Sequence, residues 1–312
     1  MLDHIPVIVI TGESSVESDS QAYEYGAADI IYKPFSPKVV MRRAQNLMEL
    51  FQSKKDVEDE LAKRTEELKE NQEMLANTNE FLLDALGSVV EFRSLESGEH
   101  VKRVKKVTKI ILKHIQSFYP EYKLTNEDIH MMSQAAALHD VGKIAISDNI
   151  LKAPRQLTNE EFIEMKKHTI LGCEILDKFK LQNNMFFKYS YDICRWHHEK
   201  VDGSGYPDGL KGDEIPIYCQ AASIADCFDA LCSKRVYKGP VLPVEAFNMI
   251  KRGECGAFSD IILDAFDAAK FDLFYTYENH GLGGAAGVPK EETFAELVKR
   301  EAKEDFAIES EK

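Results

Sequence analysis

The alternation of apolar and polar residues predicts a small α/β segment followed by a very long helix. A near-continuous apolar run at residues 5–10 is typical of a buried parallel strand, and residues 28–32 predict a second strand. Residues 18–26 predict a short helix between them, and this order is typical of an α/β layer. From about Pro37 to Arg93 the pattern is helical, since no Gly or Pro interrupts it before Gly87.

Leucine recurs every seven residues along this predicted helix. The row consists of Leu61, Leu68, Leu75 and Leu82, and Leu47 and Val89 fall in the same register. One such row is typical of a coiled coil, and the polar residues of the second row, such as Thr65 and Gln72, would fix register and oligomer number. The pattern predicts a parallel homodimer that joins a sensor to an output domain. The alternative is a long solvated helix packed along its own domain.

The rest of the chain predicts helices with short connections. One is expected from about Glu96 to Tyr119. Thr125 and Thr158 precede acidic residues, as N-caps do, and the second cap opens a helix expected to continue through His168. The predicted fold is therefore mainly α, with a long N-terminal coiled-coil helix and a small partial α/β segment. The predicted divisions are 1–44 (partial α/β), 45–92 (coiled-coil linker), 93–278 (main domain) and 279–312 (flexible acidic tail).

Composition narrows the function. The net charge of −14 disfavours a general binder of nucleic-acid polymers, whose affinity depends on neutralising phosphates. The six cysteines form no CxxC pair, which favours reduced thiols in a cytoplasmic protein. No apolar run approaches the roughly 18 residues of a membrane-spanning helix, so no membrane association is expected.

Histidine and aspartate residues form adjacent pairs in the main domain. His139-Asp140 and His197-His198 supply the imidazole and carboxylate groups that bind iron, manganese or zinc. Neighbours on a helix point about 100° apart, so one pair can serve two metals or bridge them. Glu96 and His100 are four residues apart, a spacing that places them on one helix face.

Together with the loop Gly203-Ser204-Gly205-Tyr206-Pro207, these pairs resemble the HD-GYP branch of the HD phosphohydrolase superfamily, from about residue 82 to about 275. The resemblance implies an HD-domain helical bundle that holds two or three divalent metals, with iron or manganese expected. The implied ligands are Glu96, His100, His139, Asp140, His168, His197, His198 and Asp226. The family associates a carboxylate at the Glu96 position with a third metal.

The resemblance also implies the substrate, the bacterial messenger cyclic di-GMP, and its hydrolysis to pGpG or GMP. Lys143, Arg235 and Lys238 match positions that hold phosphate, Tyr206 is expected to stack on or hydrogen-bond to guanine, and Gly205 to allow close backbone approach. Asp140 and Lys143 are the expected catalytic residues. Two metals bridged by Asp140 would hold a bridging water and lower its pKa, so that the hydroxide attacks phosphorus without a nucleophilic side chain.

Three alternatives remain open from the sequence. The domain could bind cyclic di-GMP without hydrolysing it, although none of the expected ligand positions is lost. It could hydrolyse another phosphoester, such as a mixed cyclic dinucleotide. Finally, the coiled coil and the α/β segment could carry the function, with the main domain as a scaffold.

The first 44 residues resemble the last third of a response-regulator receiver domain. Thr11 corresponds to the switch hydroxyl, and Lys33, before Pro34, to the lysine that contacts the phosphoryl group. The phosphoacceptor aspartate and the acidic metal-binding pair have no counterpart, and Ile30 replaces the switch aromatic. Phosphorylation in the receiver manner is not expected, and a sensor kinase is an expected partner only of a full receiver. The incomplete sheet is expected to be poorly ordered or covered by a partner.

Overall fold

A computed structural model describes residues 5–94, 99–179, 184–233 and 239–278 of the chain. The chain divides into two compact units, one ending at Thr78 and the other beginning at Asn79. Among the described helices, none combines the length and the apolar character needed to cross a membrane.

The first unit contains the predicted α/β layer. Strand β1 (Val7–Thr11) pairs in parallel with strand β2 (Ala27–Tyr32), and helix α1 (Val16–Glu24) connects them. Parallel strands require such a crossover, and Ser15 caps α1 by accepting a hydrogen bond from the Ser18 amide. The strand–helix–strand prediction is confirmed to within two residues at each boundary.

Helix α2 (Pro37–Arg93) is continuous over 57 residues, as the sequence predicts. The leucine row of α2 and Val89 remain 51–66% exposed. An apolar row that stays in water is what a coiled-coil partner would cover, and the dimer itself stays a prediction.

Within the described residues, the second unit contains the end of α2 and ten further helices. They are α3 (Glu99–Phe118), α4 (Asn126–Ala135), α5 (Asp148–Leu151), α6 (Asn159–Lys166), α7 (His168–Asp177), α8 (Met185–Trp196), α9 (Ile217–Cys232), α10 (Pro243–Lys251), α11 (Asp260–Ala268) and α12 (Lys270–Glu278). Short 3₁₀ turns lie at Ala136–Leu138 and Val141–Ala145. The mainly α prediction is confirmed.

The core of this unit lies between α3 and α9, which pack against each other. Helix α3 buries Val104, Ile111 and Leu112 completely on one face. Helix α9 contributes the small side chains of Ala221 and Ala225, which allow the two helix axes to approach closely. This packing orients α3 and α9 so that their polar faces point toward the predicted metal ligands.

Two local predictions need correction. The helix expected to run through His168 breaks at Lys167 into α6 and α7, and the His168 ring contacts the Met165 carbonyl oxygen at 2.8 Å there. The two motif pairs also lie at helix ends rather than within helices: α8 ends at Trp196, before the His pair, and α4 ends before the HD pair. Because the backbone changes direction there, adjacent side chains can face one site, and the His197 and His198 ring centroids are 4.1 Å apart.

Candidate metal centre

The structure brings seven of the eight predicted metal ligands to one buried site in the second unit. They are His100 from α3, His139 and Asp140 after α4, His168 from α7, His197 and His198 after α8, and Asp226 from α9. The eighth, Glu96, lies outside the described residues.

One group of ligands consists of Asp140, His168, His197 and His198. Each offers an atom, and these atoms all lie within 4.8 Å of one another. The Nε2 atoms of His168 and His197 are 3.5 Å apart, and Asp140 Oδ1 lies 3.2 Å from His168 Nε2. Three imidazoles and a carboxylate are a donor set that suits iron, manganese or zinc.

A second group consists of Glu91, His100, His139 and Asp140. The Nε2 atoms of His100 and His139 are 3.5 Å apart, and Asp226 Oδ1 lies 3.6 Å from the first and 3.9 Å from the second. Asp140 belongs to both groups, so its two oxygens lie between them. The bridging role that the sequence predicts for Asp140 would require such a shared position.

Hydrogen bonds to the backbone aim three of the imidazoles. The Nδ1 atoms of His139, His168 and His197 lie 2.8–2.9 Å from the carbonyl oxygens of Ala136, Met165 and Ile193 respectively. A carbonyl only accepts, so each Nδ1 carries a proton, and whenever a ring is neutral its Nε2 lone pair points inward.

These lone pairs fit a cation. Asp140 Oδ1 is buried and accepts no hydrogen bond from any residue in the described ranges. It faces His168 Nε2 and His197 Nε2, two further atoms without protons in the neutral rings. Lone pairs held this close repel one another unless a positive charge lies between them, so the residues present fit a divalent metal.

In the absence of metal, the histidines of the two ligand groups differ in protonation. Burial and the positive charge of His139 together lower the pKa of His197 to about 3. Burial would also lower the pKa of His139, but Asp140, Asp226 and Glu91 outweigh it and raise that pKa to about 10. The His197 ring is therefore neutral at physiological pH, whereas His139 holds a proton that a metal must displace.

Lys143 lies at the edge of this site. Its Nζ is 2.6 Å from Asp140 Oδ2, and its side chain is 14% exposed. Although burial alone would raise the pKa of Asp140, Lys143 and His139 hold it well below its usual range. Lys143 thus places a positive charge next to the shared carboxylate, with access from solvent.

A fourth histidine, His100, is oriented by a side chain rather than by a backbone carbonyl. His100 Nδ1 lies 2.6 Å from Asp229 Oδ2, and Arg103 donates to both oxygens of this carboxylate at 2.5 and 3.0 Å. The hydroxyl of Tyr277 donates to Asp229 Oδ1 at 2.6 Å. Asp229 is fully buried, and His100 and Arg103 hold its pKa below the usual range although burial would raise it. This network fixes the orientation of His100 from α9 and α12.

The predicted substrate residues are only partly described. The Tyr206 ring stacks on His198, with centroids 4.7 Å apart, and burial raises the pKa of its hydroxyl. The packing of the loop itself requires glycine at position 205, because a Cβ there would lie 2.4 Å from Glu199 Cα. Arg235 and Lys238 lie outside the described residues.

Glu199 holds the loop rather than the histidines. Its carboxylate accepts the backbone amides of Asp208, Gly209 and Leu210 at 2.7, 3.0 and 3.0 Å. These contacts show that Glu199 fixes the backbone of the loop. The loop brings Tyr206 to the metal ligands.

Two residues of the site escape the sequence argument. Glu91 is 1% exposed, and its Oε1 lies 3.7 Å from His100 Nε2. Glu91 lies on the same buried face of α2 as Gly87 and Val90. A carboxylate on this otherwise apolar face is the sequence feature that could have identified it as part of the site. Asp229 follows Asp226 by three residues, as Arg103 follows His100, and this shared spacing places each pair on one face.

Comparison with known proteins agrees with this geometry. The family described as the HD domain matches residues 94–255. A probable cyclic di-GMP phosphodiesterase of Vibrio cholerae serotype O1 is 35% identical over 276 residues, which cover 85% of this chain and 61% of that protein. A cyclic di-GMP phosphodiesterase of Thermotoga maritima is 33% identical over 267 residues, 83% of this chain and 70% of that protein.

A third relative has a different printed substrate. The 3'3'-cGAMP-specific phosphodiesterase 2 of Vibrio cholerae is 43% identical over 166 residues, 53% of this chain and 30% of that protein.

The chain spans about three fifths of the length of the first relative, the probable cyclic di-GMP phosphodiesterase. The matched residues include the paired histidine and aspartate motifs and the Gly205-Tyr206-Pro207 loop described above. The chain therefore belongs to the HD domain family, in its HD-GYP branch.

Proposed function

We propose that this chain is a metal-dependent phosphodiesterase that hydrolyses cyclic di-GMP to pGpG or GMP. The observation that carries the proposal is the position of Asp140, whose carboxylate belongs to both groups of ligands. A carboxylate shared in this way is typical of two-metal sites that hydrolyse phosphodiesters. The names of two relatives support cyclic di-GMP as the substrate.

Each residue has a defined part in this proposal. The histidines and Asp226 would hold the metals, with Asp140 as the ligand that the two groups share. Bound divalent metals would supply an activated water and neutralise charge on the phosphoryl oxygens. Lys143 binds a phosphate oxygen beside Asp140, and Tyr206 supports a guanine base at the loop. Glu96 as a ligand of a third metal, and Arg235 and Lys238 as phosphate-binding residues, stay part of the proposal.

A second substrate has specific support. The relative with 43% identity over 166 residues is named for 3'3'-cGAMP, which also has two 3'–5' phosphodiester bonds. The same metal site would serve both molecules, and the base next to Tyr206 would decide between them. A protein that binds a cyclic dinucleotide without cleaving it is the remaining alternative.

The upstream part of the chain is proposed to regulate this activity. The exposed leucine row of α2 would form a parallel homodimer. The α/β layer, with Thr11 and Lys33 at the ends of its strands, would be the remnant of a receiver domain. A sensor kinase would be the partner of a full receiver.

The first experiment combines metal analysis and turnover on one sample. Protein purified without oxygen is analysed by mass spectrometry for iron and manganese, then mixed with cyclic di-GMP or 3'3'-cGAMP and followed by chromatography. We expect two or three metals per chain, and pGpG or GMP as product. His197→Ala should lose both, whereas His130→Ala, at an exposed position on α4, should keep both. Metal-loaded protein that binds but never cleaves either dinucleotide would favour the binding role.

A further inference from the structure

Arg93, the last residue of α2, binds the segment that carries Lys143. Its guanidinium donates to the carbonyl oxygens of Lys143 at 3.0 Å, of Ile144, and of Ile146 at 2.8 Å. It also donates to Asp148 Oδ1 at 2.8 Å. One side chain therefore binds three backbone carbonyls of a loop that lies about fifty residues further along the chain.

This segment packs against α7 and is also bound by Arg93. It is a short 3₁₀ turn, Val141–Ala145, in which Ile144 is half exposed. Gly142 packs against the backbone of α7 on one side. Beyond it, the Lys143 carbonyl is bonded to the Ile146 amide at 3.2 Å within the turn. From outside the turn, Arg93 donates hydrogen bonds to the carbonyl oxygens of Lys143, Ile144 and Ile146.

The geometry connects Arg93 to the proposed chemistry. Lys143 has its backbone carbonyl bonded to Arg93 and its ammonium 2.6 Å from Asp140, which both metal groups share. A long, flexible lysine side chain points accurately only if its own backbone is fixed. A shift of about 1 Å in such a group is enough to reduce a rate about a hundredfold.

We propose that Arg93 is a positioning residue for Lys143, and that the end of the linker helix is thereby part of the active site. This inference rests on the proposed function, since it assigns Lys143 to a phosphate. Arginine suits the role because its planar fork of five N–H donors can reach several acceptors at once. A lysine at this position keeps the charge but loses the fork. The ion pair with Asp148 is not required, since that carboxylate is 55% exposed.

The test uses Arg93→Ala and Arg93→Lys in the full chain. We expect kcat/KM on the cleaved dinucleotide to fall by about tenfold to a hundredfold in both, with metal content equal to wild type. Hydrogen exchange of the peptide that spans residues 141–148 should become faster. This second measurement needs no substrate, so it reports on Arg93 even if the proposed function fails.

Two further variants separate positioning from general damage. In a Lys143→Ala background, Arg93→Ala should cost less than about threefold, because the group that it positions is gone. Asp148→Asn should leave kcat/KM within about twofold of wild type, because it removes only an exposed ion pair.

Four results would overturn the inference: unchanged exchange at residues 141–148, full activity in Arg93→Lys, loss of metal in both Arg93 variants, or losses that multiply in the double variant. A wild-type protein that cleaves no cyclic dinucleotide, combined with faster exchange in Arg93→Ala, would instead reject the proposed function and keep the contact.

Discussion

The backbone of Gly142 lies directly against the carbonyl oxygen of His168. A Cβ placed on Gly142 would be 1.8 Å from that oxygen and 2.5 Å from the Gly172 amide nitrogen. Both are backbone atoms, so no side-chain rotation can relieve the overlap. The loop of the HD pair and the first turn of α7 are therefore held at a distance that only glycine permits, and this contact fixes Asp140 relative to His168.

Gly142→Ala should consequently destabilise the protein. We expect the free energy of unfolding to fall by about 3 kcal/mol, the upper end of the cost of overpacking, as measured by denaturant titration. Gly239→Ala is the control, because no described atom lies within 4 Å of a Cβ there. Equal stability of the two variants would show that the close contact is absent in solution.

Glu91→Gln should weaken the metal site beside His100. Glu91 Oε1 lies 3.7 Å from His100 Nε2, and removing its negative charge makes that site less attractive to a cation. We expect metal affinity on this side to fall about tenfold, measured by competition with a chelator. Glu99→Gln, at an exposed carboxylate on α3, is the matched control. Identical metal retention in both variants would assign Glu91 a purely structural role.

Asp229→Asn should impair metal binding without touching a proposed ligand. The substitution removes the charge that polarises His100 Nδ1–H, and a loss of about tenfold to a hundredfold in metal affinity is expected. Tyr277→Phe removes one hydrogen bond to Asp229 but keeps the carboxylate, so its affinity should stay near wild type. The prediction fails if isothermal titration gives Asp229→Asn the same affinity as Tyr277→Phe.

Metal binding should release protons at pH 8. The pKa of His139 is about 10 without metal, so its ring is protonated at this pH, and the metal needs the lone pair that the proton occupies. His197, with a pKa of about 3, has no proton to release. Affinity should therefore rise with pH until about pH 10. Calorimetry of metal uptake in buffers of different ionisation enthalpy measures the release, and a heat that does not depend on the buffer would contradict it.

Leu75→Glu should dissociate the predicted dimer. Leu75 is in the middle of the exposed row, and a charge at that position would be buried in a coiled-coil interface. Asn77→Glu introduces the same charge outside both predicted rows and should leave the dimer intact. Light scattering at micromolar concentration distinguishes the two masses. A monomeric wild-type protein would exclude the coiled-coil interface.

The long elements were predictable from the sequence because their signals are local. Helix α2 has no breaker over most of its length. Thr125 and Thr158 cap helices as predicted, and Asp128 and Glu161 complete capping boxes there. The break between α6 and α7 was not predictable, since it depends on a bond between the His168 ring and the chain just before it.

The ligand set was predictable in kind, whereas its surroundings were not. The histidine and aspartate pairs indicate a metal site, but the roles of Glu91, Asp229 and Arg93 depend on partners up to 129 residues away in the sequence. Such contacts exist only once α2, α3 and α9 have packed. Gly205 shows the same limit, because the sequence alone does not reveal that a Cβ there would lie 2.4 Å from Glu199 Cα.

The choice of carbonyl oxygens as partners for His139, His168 and His197 affects how the protein tolerates mutation. A main-chain oxygen is present whatever residue occupies the position, so substitutions at Ala136, Met165 or Ile193 leave these acceptors in place. In the described part of the chain, His100 Nδ1 contacts the Asp229 side chain instead of a main-chain acceptor, and a single substitution at Asp229 removes this partner. Natural variation can therefore adjust the metal site at His100 far more readily than at the other three histidines.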